Sequence, residues 1–228
     1  MYAADVDSER HTFQASGSLW QDALVMQDLE SKSLWSQVSG KCIMGDKLGQ
    51  ELELFPSMMT TYAEFKQLFP DGVLLAKPEK GEQGAPYEKY FSNPDKLGMF
   101  GRANDFERLK GKDIIYGLRL AKGEVAISKA YLHDKGFAFV ADSKSSIAVT
   151  FDSKSGTVAA YLIPHSNNIQ AADFLISDNR LTFSVNDKTW NMKTGKSASG
   201  HGDLSLAPIL SSYWFAWVSF FPETELIK

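Results

Sequence analysis

The chain has 228 residues, with 24 basic and 28 acidic side chains, a net charge of −4 and 43% hydrophobic residues. This ordinary globular composition excludes a collagen-like, a mostly disordered or a disulfide-stapled chain. The acidic balance and the lack of any run of like charges argue against a nucleic-acid partner, because neutralising phosphates takes a basic patch. The only cysteine is Cys42, so no intrachain disulfide can form. No stretch reaches the ~18 apolar residues of a membrane span, and the most apolar one, Trp214 to Phe221, is too short. The first residues have neither a basic start nor an apolar run, so they do not read as a signal peptide, and the sequence as it stands reads as cytoplasmic.

Taken in chain order, the dominant period is two, the signature of half-buried strands. Residues 11–15 alternate roughly, and Glu51-Leu52-Glu53-Leu54-Phe55 alternates clearly. Thr61 to Phe69 differs: Thr61 and Glu64 form a capping-box pattern, and Tyr62, Phe65, Leu68 and Phe69 fall at helical spacing before Pro70 and Gly72. Residues 77–104 are rich in proline and glycine and read as an irregular connection extending to 112, which Tyr87, Tyr90 and Phe91 could pin down. Segments 113–121 and 124–128 flank Lys122-Gly123, a hairpin signal. Further strands are expected at 137–141, 146–151, 157–163, 174–176 and 180–185, with a turn at Asp178-Asn179. Ser212 to Phe221 reads as a second short helix stopped by Pro222.

The chain repeats itself. Trp35, Gly40, Lys41 and Gly45 recur at the same offsets as Trp190, Gly195, Lys196 and Gly200. Leu52 to Pro70 and Leu204 to Pro222 both span 18 positions, and Tyr62, Phe65 and Phe69 match Trp214, Trp217 and Phe221. The unit is strand, glycine-bounded excursion, strand, aromatic helix, then Phe-Pro, and the aromatic pair of each helix is expected to fill a core. The expected fold is mainly β, α+β at the margin, as two related halves. Residues 1–76 form a first repeat, 77–112 the connection and 113–228 a second repeat, with one shared core. The second repeat has more strands ahead of its Trp, so the first is expected to be N-terminally incomplete. Uncovered strand edges would then favour self-association.

Ser16-Gly17-Ser18-Leu19-Trp20, Leu24 to Asp28, Ser33-Leu34-Trp35-Ser36-Gln37, the glycines at 40, 45 and 49, Thr60 to Phe65, and Trp214-Phe215-Ala216-Trp217 with Phe221-Pro222 together resemble an uncharacterised prokaryotic family, domain of unknown function thirty-one seventy-nine. The resemblance is dense over 10–75 and at the C-terminus and weak over 77–200. It implies an upstream extension with more strands and a Cys-Pro-x-Cys-like stretch, and an exported full-length form. It implies no activity and no catalytic residue.

Reactive residues are few. Cys42 lies between two glycines beside Lys41. A thiol reacts when its pKa is lowered, and adjacency does not secure that, so a packed side chain is the preferred reading. Cys42 and His11, with Met44, Met58 and Met59, are weak candidates for a soft metal and lack compact ligand spacing, so no cofactor is expected. No Gly-x-Ser-x-Gly elbow occurs. Ser199, His201 and Asp203 sit too close in one glycine turn for a catalytic triad, and His133, His165 and His201 read as loop histidines. Gly195-Lys196-Ser197 lacks the upstream glycine of a P-loop, because that position is Trp190. Asp28, Trp35, Ser36 and Gln37 are the candidate ligand-binding residues, weighed against a buried hydrogen-bond network, which is preferred. The expected function is a non-catalytic binding or structural module. The alternatives are a metal- or thiol-dependent redox protein with its cysteines upstream, and a hydrolase with an unrecognised site.

Overall fold

The computed structural model describes residues 1–76, 88–99, 101, 103–104, 106–164 and 169–228. In chain order the elements are β1 (Asp5–Val6), β2 (Glu9–Arg10), β3 (Phe13–Trp20), β4 (Ala23–Asp28), β5 (Leu34–Ser36), β6 (Cys42–Met44), α1 (Tyr62–Leu68) and α2 (Glu88–Ser92). Then follow β7 (Ile114–Leu120), β8 (Gly123–Ser128), α3 (Lys129–Lys135), β9 (Phe137–Ala141), β10 (Ser146–Asp152) and β11 (Thr157–Leu162). A 3-10 turn at Ala171–Asp173 precedes β12 (Leu175–Ile176), β13 (Thr182–Val185), β14 (Lys188–Asn191), β15 (Leu210–Tyr213), α4 (Trp214–Phe220) and β16 (Glu225–Ile227). The protein is mainly β with short helices, as the period of two requires. Among the described residues no helix is long and apolar enough to cross a membrane.

The chain divides into two compact units. The first comprises Met1–Ser57, Leu97–Tyr131 and Ala207–Lys228. It holds the hairpin β1-β2 and two four-stranded sheets, β3-β4-β5-β6 and β15-β7-β8-β16. Pairing is antiparallel except for β16, which runs parallel to β8. The β3-β4 loop is Gln21-Asp22, both at positive φ (50° and 61°), the twist-compatible geometry of a tight hairpin. One core joins Ile115 and Ala126 to Trp214, Trp217 and Phe221. Gly117 lies against Trp217, where a Cβ would overlap the indole ring, so this strand position must stay bare. A second, smaller cluster gathers Val6, Trp35, Cys42 and Leu52.

The second unit comprises Met58–Lys96 and Leu132–Leu206, with three-stranded sheets β11-β10-β9 and β12-β13-β14. Its core packs Phe137, Tyr161, Phe174, Phe183 and Trp190, with ring centroids 5.0–6.1 Å apart across Phe137, Phe174 and Phe183. Two-residue Asn186-Asp187, again at positive φ (50° and 60°), turns β13 into β14.

The repeat is a repeat of hydrogen bonds as well as letters. Gly40 N–H donates to Ser36 O at 2.8 Å and Gly195 N–H to Asn191 O at 2.9 Å. Leu52 N–H donates to Gly40 O and Leu204 N–H to Gly195 O, both at 2.9 Å. A Cβ on Gly40 or Gly195 would stand 2.6 Å from a tyrosine ring, Tyr2 or Tyr161 respectively, and φ is +71° and +66°. Only glycine meets both demands. The helices match too: α1 and α4 end on Phe69 and Phe221 with nearly identical backbone angles.

Several expectations are corrected. Glu51 to Phe55 forms no ladder; it makes isolated bridges, Lys41 with Glu51 and Tyr2 with Leu54. Alternation marks which face is covered, and here single contacts suffice to cover it. The aromatic helix faces fill a core in α4, which buries Trp214, Phe215 and Trp217. In α1 no side chain is buried, and its Glu64 pairs with Lys193. Met58 packs on the second core, whereas Met44 and Met59 are exposed. His133 lies on α3, not in a loop. Tyr90 and Phe91 contact each other on α2, while Tyr87 and His165 lie outside the described residues.

Candidate functional site

The most concentrated polar chemistry lies beside Trp35, where β4 and β5 meet. β4 ends at Asp28, and the chain returns through residues 29–33 to β5, which pairs Trp35 with Met26. Period two therefore puts Asp28 on the same face as Met26, at the open end of the hairpin. Asp28 is fully buried. Its Oδ2 accepts from Trp35 Nε1 at 2.8 Å and from Ser31 Oγ at 2.8 Å, and its Oδ1 accepts from Ser31 N–H at 2.6 Å. Burial by itself would raise this carboxyl. The hydrogen bonds from Trp35 and Ser31 outweigh it and hold the group down at about 2. Ser33 Oγ extends the network, lying 2.7 Å from Ser31 Oγ and accepting from Lys47 N–H at 3.2 Å. Gly45, at φ +101°, lies directly on Ser33; a Cβ there would come within 2.8 Å of Ser33 Cα.

His11 and Glu30 complete the cluster. His11 sits between β2 and β3, tied by its N–H to Ala4 O at 2.8 Å. Its Nδ1 lies 3.3 Å from Asp28 Oδ1 and 3.8 Å from Glu30 Oε2, without the alignment of a hydrogen bond to either. Glu30 is exposed, and its Oε2 accepts Thr12 N–H at 2.8 Å, which lowers the carboxyl's pKa. The three ligand-type atoms lie within 4.8 Å of one another.

The remaining candidates from the sequence fall around this knot. Ser36 is buried, its Oγ accepting from Ser39 N–H at 3.2 Å, a turn-closing role. Gln37 is exposed and borders a cleft of about 220 Å³ with Val38, Ser211, Ser212 and Trp217. That figure includes open solvent; the enclosed space is only about 20 Å³, far below the ~300 Å³ at which small-molecule pockets begin. Cys42 is buried among Val6, Trp35 and Leu52. Its pKa is raised by burial, the opposite of what a reactive thiol requires. The structure thus brings Asp28, Trp35 and His11 together and leaves Cys42 outside the metal-type cluster.

The second unit carries its own polar centre, which sequence reading missed. Lys193 Nζ lies 2.7 Å from Glu64 Oε1 and 2.9 Å from Asp152 Oδ2. Burial opposes the Lys193 charge, but the two carboxylates prevail and raise its pKa. Asp152 is held at about 2; burial again pushes upward, and Ser155 and Lys193 pull it down. A legible signal existed. Asp28-x-x-Ser31, Asp142-x-x-Ser145 and Asp152-x-x-Ser155 each place a serine N–H on the aspartate, at 2.6, 2.7 and 3.1 Å, the side-chain turn that aspartate favours. At the repeat's second excursion, Ser199 Oγ lies 2.8 Å from His201 Nδ1. The His201 ring packs edge-on against Trp190 at 4.8 Å, so it is not a solvated loop histidine. Asp203 Oδ1 accepts from Ser197 N–H at 2.9 Å, and His201 Nε2 is buried without a partner.

The two Trp frames differ in what holds the indole. Trp190 Nε1 donates to a backbone carbonyl, Gly202 O, at 2.9 Å. By ladder register, Phe183 opposite Trp190 corresponds to Met26 opposite Trp35, so Val185 stands where the first repeat has Asp28. The scaffold therefore does not demand a carboxylate there.

No curated protein and no solved structure matches the chain. The family model described as "Protein of unknown function (DUF3179)" matches residues 1–224, including the stretch 77–200 where the sequence resemblance is weak. The match covers both Trp–Gly frames and both Phe-Pro ends, and this protein belongs to that family.

Proposed function

We propose that the chain is a non-catalytic binding or structural module. The observation that carries this reading is the use of its most reactive groups as framework. Asp28 is committed to Trp35 and Ser31, Lys193 to two carboxylates, and Cys42 is buried with its pKa pushed up. A general acid or base needs a pKa near the operating pH, and both aspartates are held far below it. Self-association belongs to the same proposal: β3 is the outer strand of its sheet and most of its side chains are exposed.

A hydrolase is the second reading, and the Ser199–His201 contact at 2.8 Å favours it. Against it stands the missing orienter, because in a triad the carboxylate holds the other ring nitrogen. Assaying the full chain with p-nitrophenyl acetate and p-nitrophenyl phosphate tests both readings. The module reading expects turnover no faster than that of the His201→Gln variant. Turnover abolished by that substitution, or by Ser199→Ala, overturns it.

A further inference from the structure

Beyond that reading, we propose that His11, Asp28 and Glu30 form a binding site for a divalent transition-metal ion. Zinc-type ions take imidazole nitrogen and carboxylate oxygen at about 2.0–2.2 Å, and tetrahedral ligation then puts ligand atoms about 3.4 Å apart. The His11 Nδ1 distances of 3.3 Å and 3.8 Å to the two carboxylate oxygens fall around that value. Three protein ligands with an exposed side at Glu30, whose side chain is 42% accessible, leave the fourth position open to water.

Two independent observations point to a ligand. His11 is buried, its side chain only 4% accessible, and its Nδ1 faces the two carboxylates at 3.3 Å and 3.8 Å without an aligned hydrogen bond to either. A buried polar atom without an aligned partner is destabilising, and an ion at this point would satisfy it. The second observation comes from the repeat. The other Trp frame has Val185 in place of Asp28 and satisfies its indole from the backbone, so the frame does not itself require the carboxylate that faces His11. Asp28 can serve both purposes: Oδ2 holds Trp35, while Oδ1, which accepts Ser31 N–H with one lone pair, turns the other toward His11.

The alternative occupant is a proton, leaving an imidazolium between two carboxylates. Titrating the chelator-stripped full chain with Zn²⁺ at pH 7, by calorimetry and by the His11 ring resonances in NMR, separates the two. The site predicts saturable uptake of one equivalent, a shift of the His11 resonances, and affinity lowered about tenfold or more in Glu30→Gln and His11→Gln. Glu30 is exposed, so Glu30→Gln keeps the metal-free melting temperature and remains informative even if His11→Gln misfolds. No saturable uptake up to millimolar Zn²⁺, or uptake that Glu30→Gln leaves unchanged, overturns the proposal.

Discussion

Replacing Asp28 by Asn tests the central knot directly. The substitution keeps the shape, removes the charge, and turns an amide donor toward the Trp35 and Ser31 donors. Relative to the ordinary 3.8, a folded value of about 2 corresponds to roughly 2 kcal/mol of folding stability, at 1.36 kcal/mol per tenfold in proton affinity. The sign is fixed by the direction. The folded carboxyl is the stronger acid, so its contribution is complete above the unfolded value and is lost as pH falls through about 2. At pH 7 the variant should lose about 2–3 kcal/mol, the charge contribution plus part of an unpaired donor. For a chain of this size that is about 4–12 °C in Tm. Urea unfolding followed by tryptophan fluorescence, with a chelator present so that metal linkage does not enter, gives the comparison. Asp152, also held at about 2, lies in the other unit, titrates in both proteins and cancels. The wild-type advantage should therefore shrink as pH falls from 5 toward 2. An advantage of constant size over that range would refute the charge argument, and a variant as stable as wild type at pH 7 would refute the knot.

Two further perturbations probe the two units separately. Lys193→Met leaves Glu64 and Asp152, 13% and 17% accessible, without their cation and should cost about 2–4 kcal/mol in urea unfolding; adding Asp152→Asn should recover part of it, and a cost below about 0.5 kcal/mol would show the triad to be a surface arrangement. Gly117→Ala drives a methyl into the Trp217 ring and should lower stability by about 1–3 kcal/mol. Trp217→Phe in the same chain should lose less than the sum of the two single changes, and strict additivity would place the strain elsewhere.

Much of the scaffold is legible in the sequence, because it rests on constraints a single residue type can satisfy. Gly40 and Gly195 must face a tyrosine ring at positive φ, so glycine recurs at matched offsets. The buried strands β9, β10 and β11 carry continuous apolar runs, and their limits follow the composition. Shorter elements escaped. β14 follows β13 after only the two-residue Asn186-Asp187 turn, so the pair is short enough to pass as one segment, and β16 is held by its parallel partner β8 rather than by its own pattern. The helix α1 shows the limit of periodicity: its aromatic spacing equals that of α4, yet none of its side chains is buried.

The sequence by itself determined the mainly β class, the duplicated Trp–Gly frame, the two aromatic helices and the family, since each rests on local geometry or on spacing along the chain. Only the tertiary structure decided where charge is placed. His11 and Asp28 are 17 residues apart and meet at 3.3 Å, and Lys193 finds Glu64 across a separation of 129. Local propensity carries no record of such pairs, because a charged side chain far along the chain costs nothing until folding buries it, and only then does it need the partner that the fold supplies.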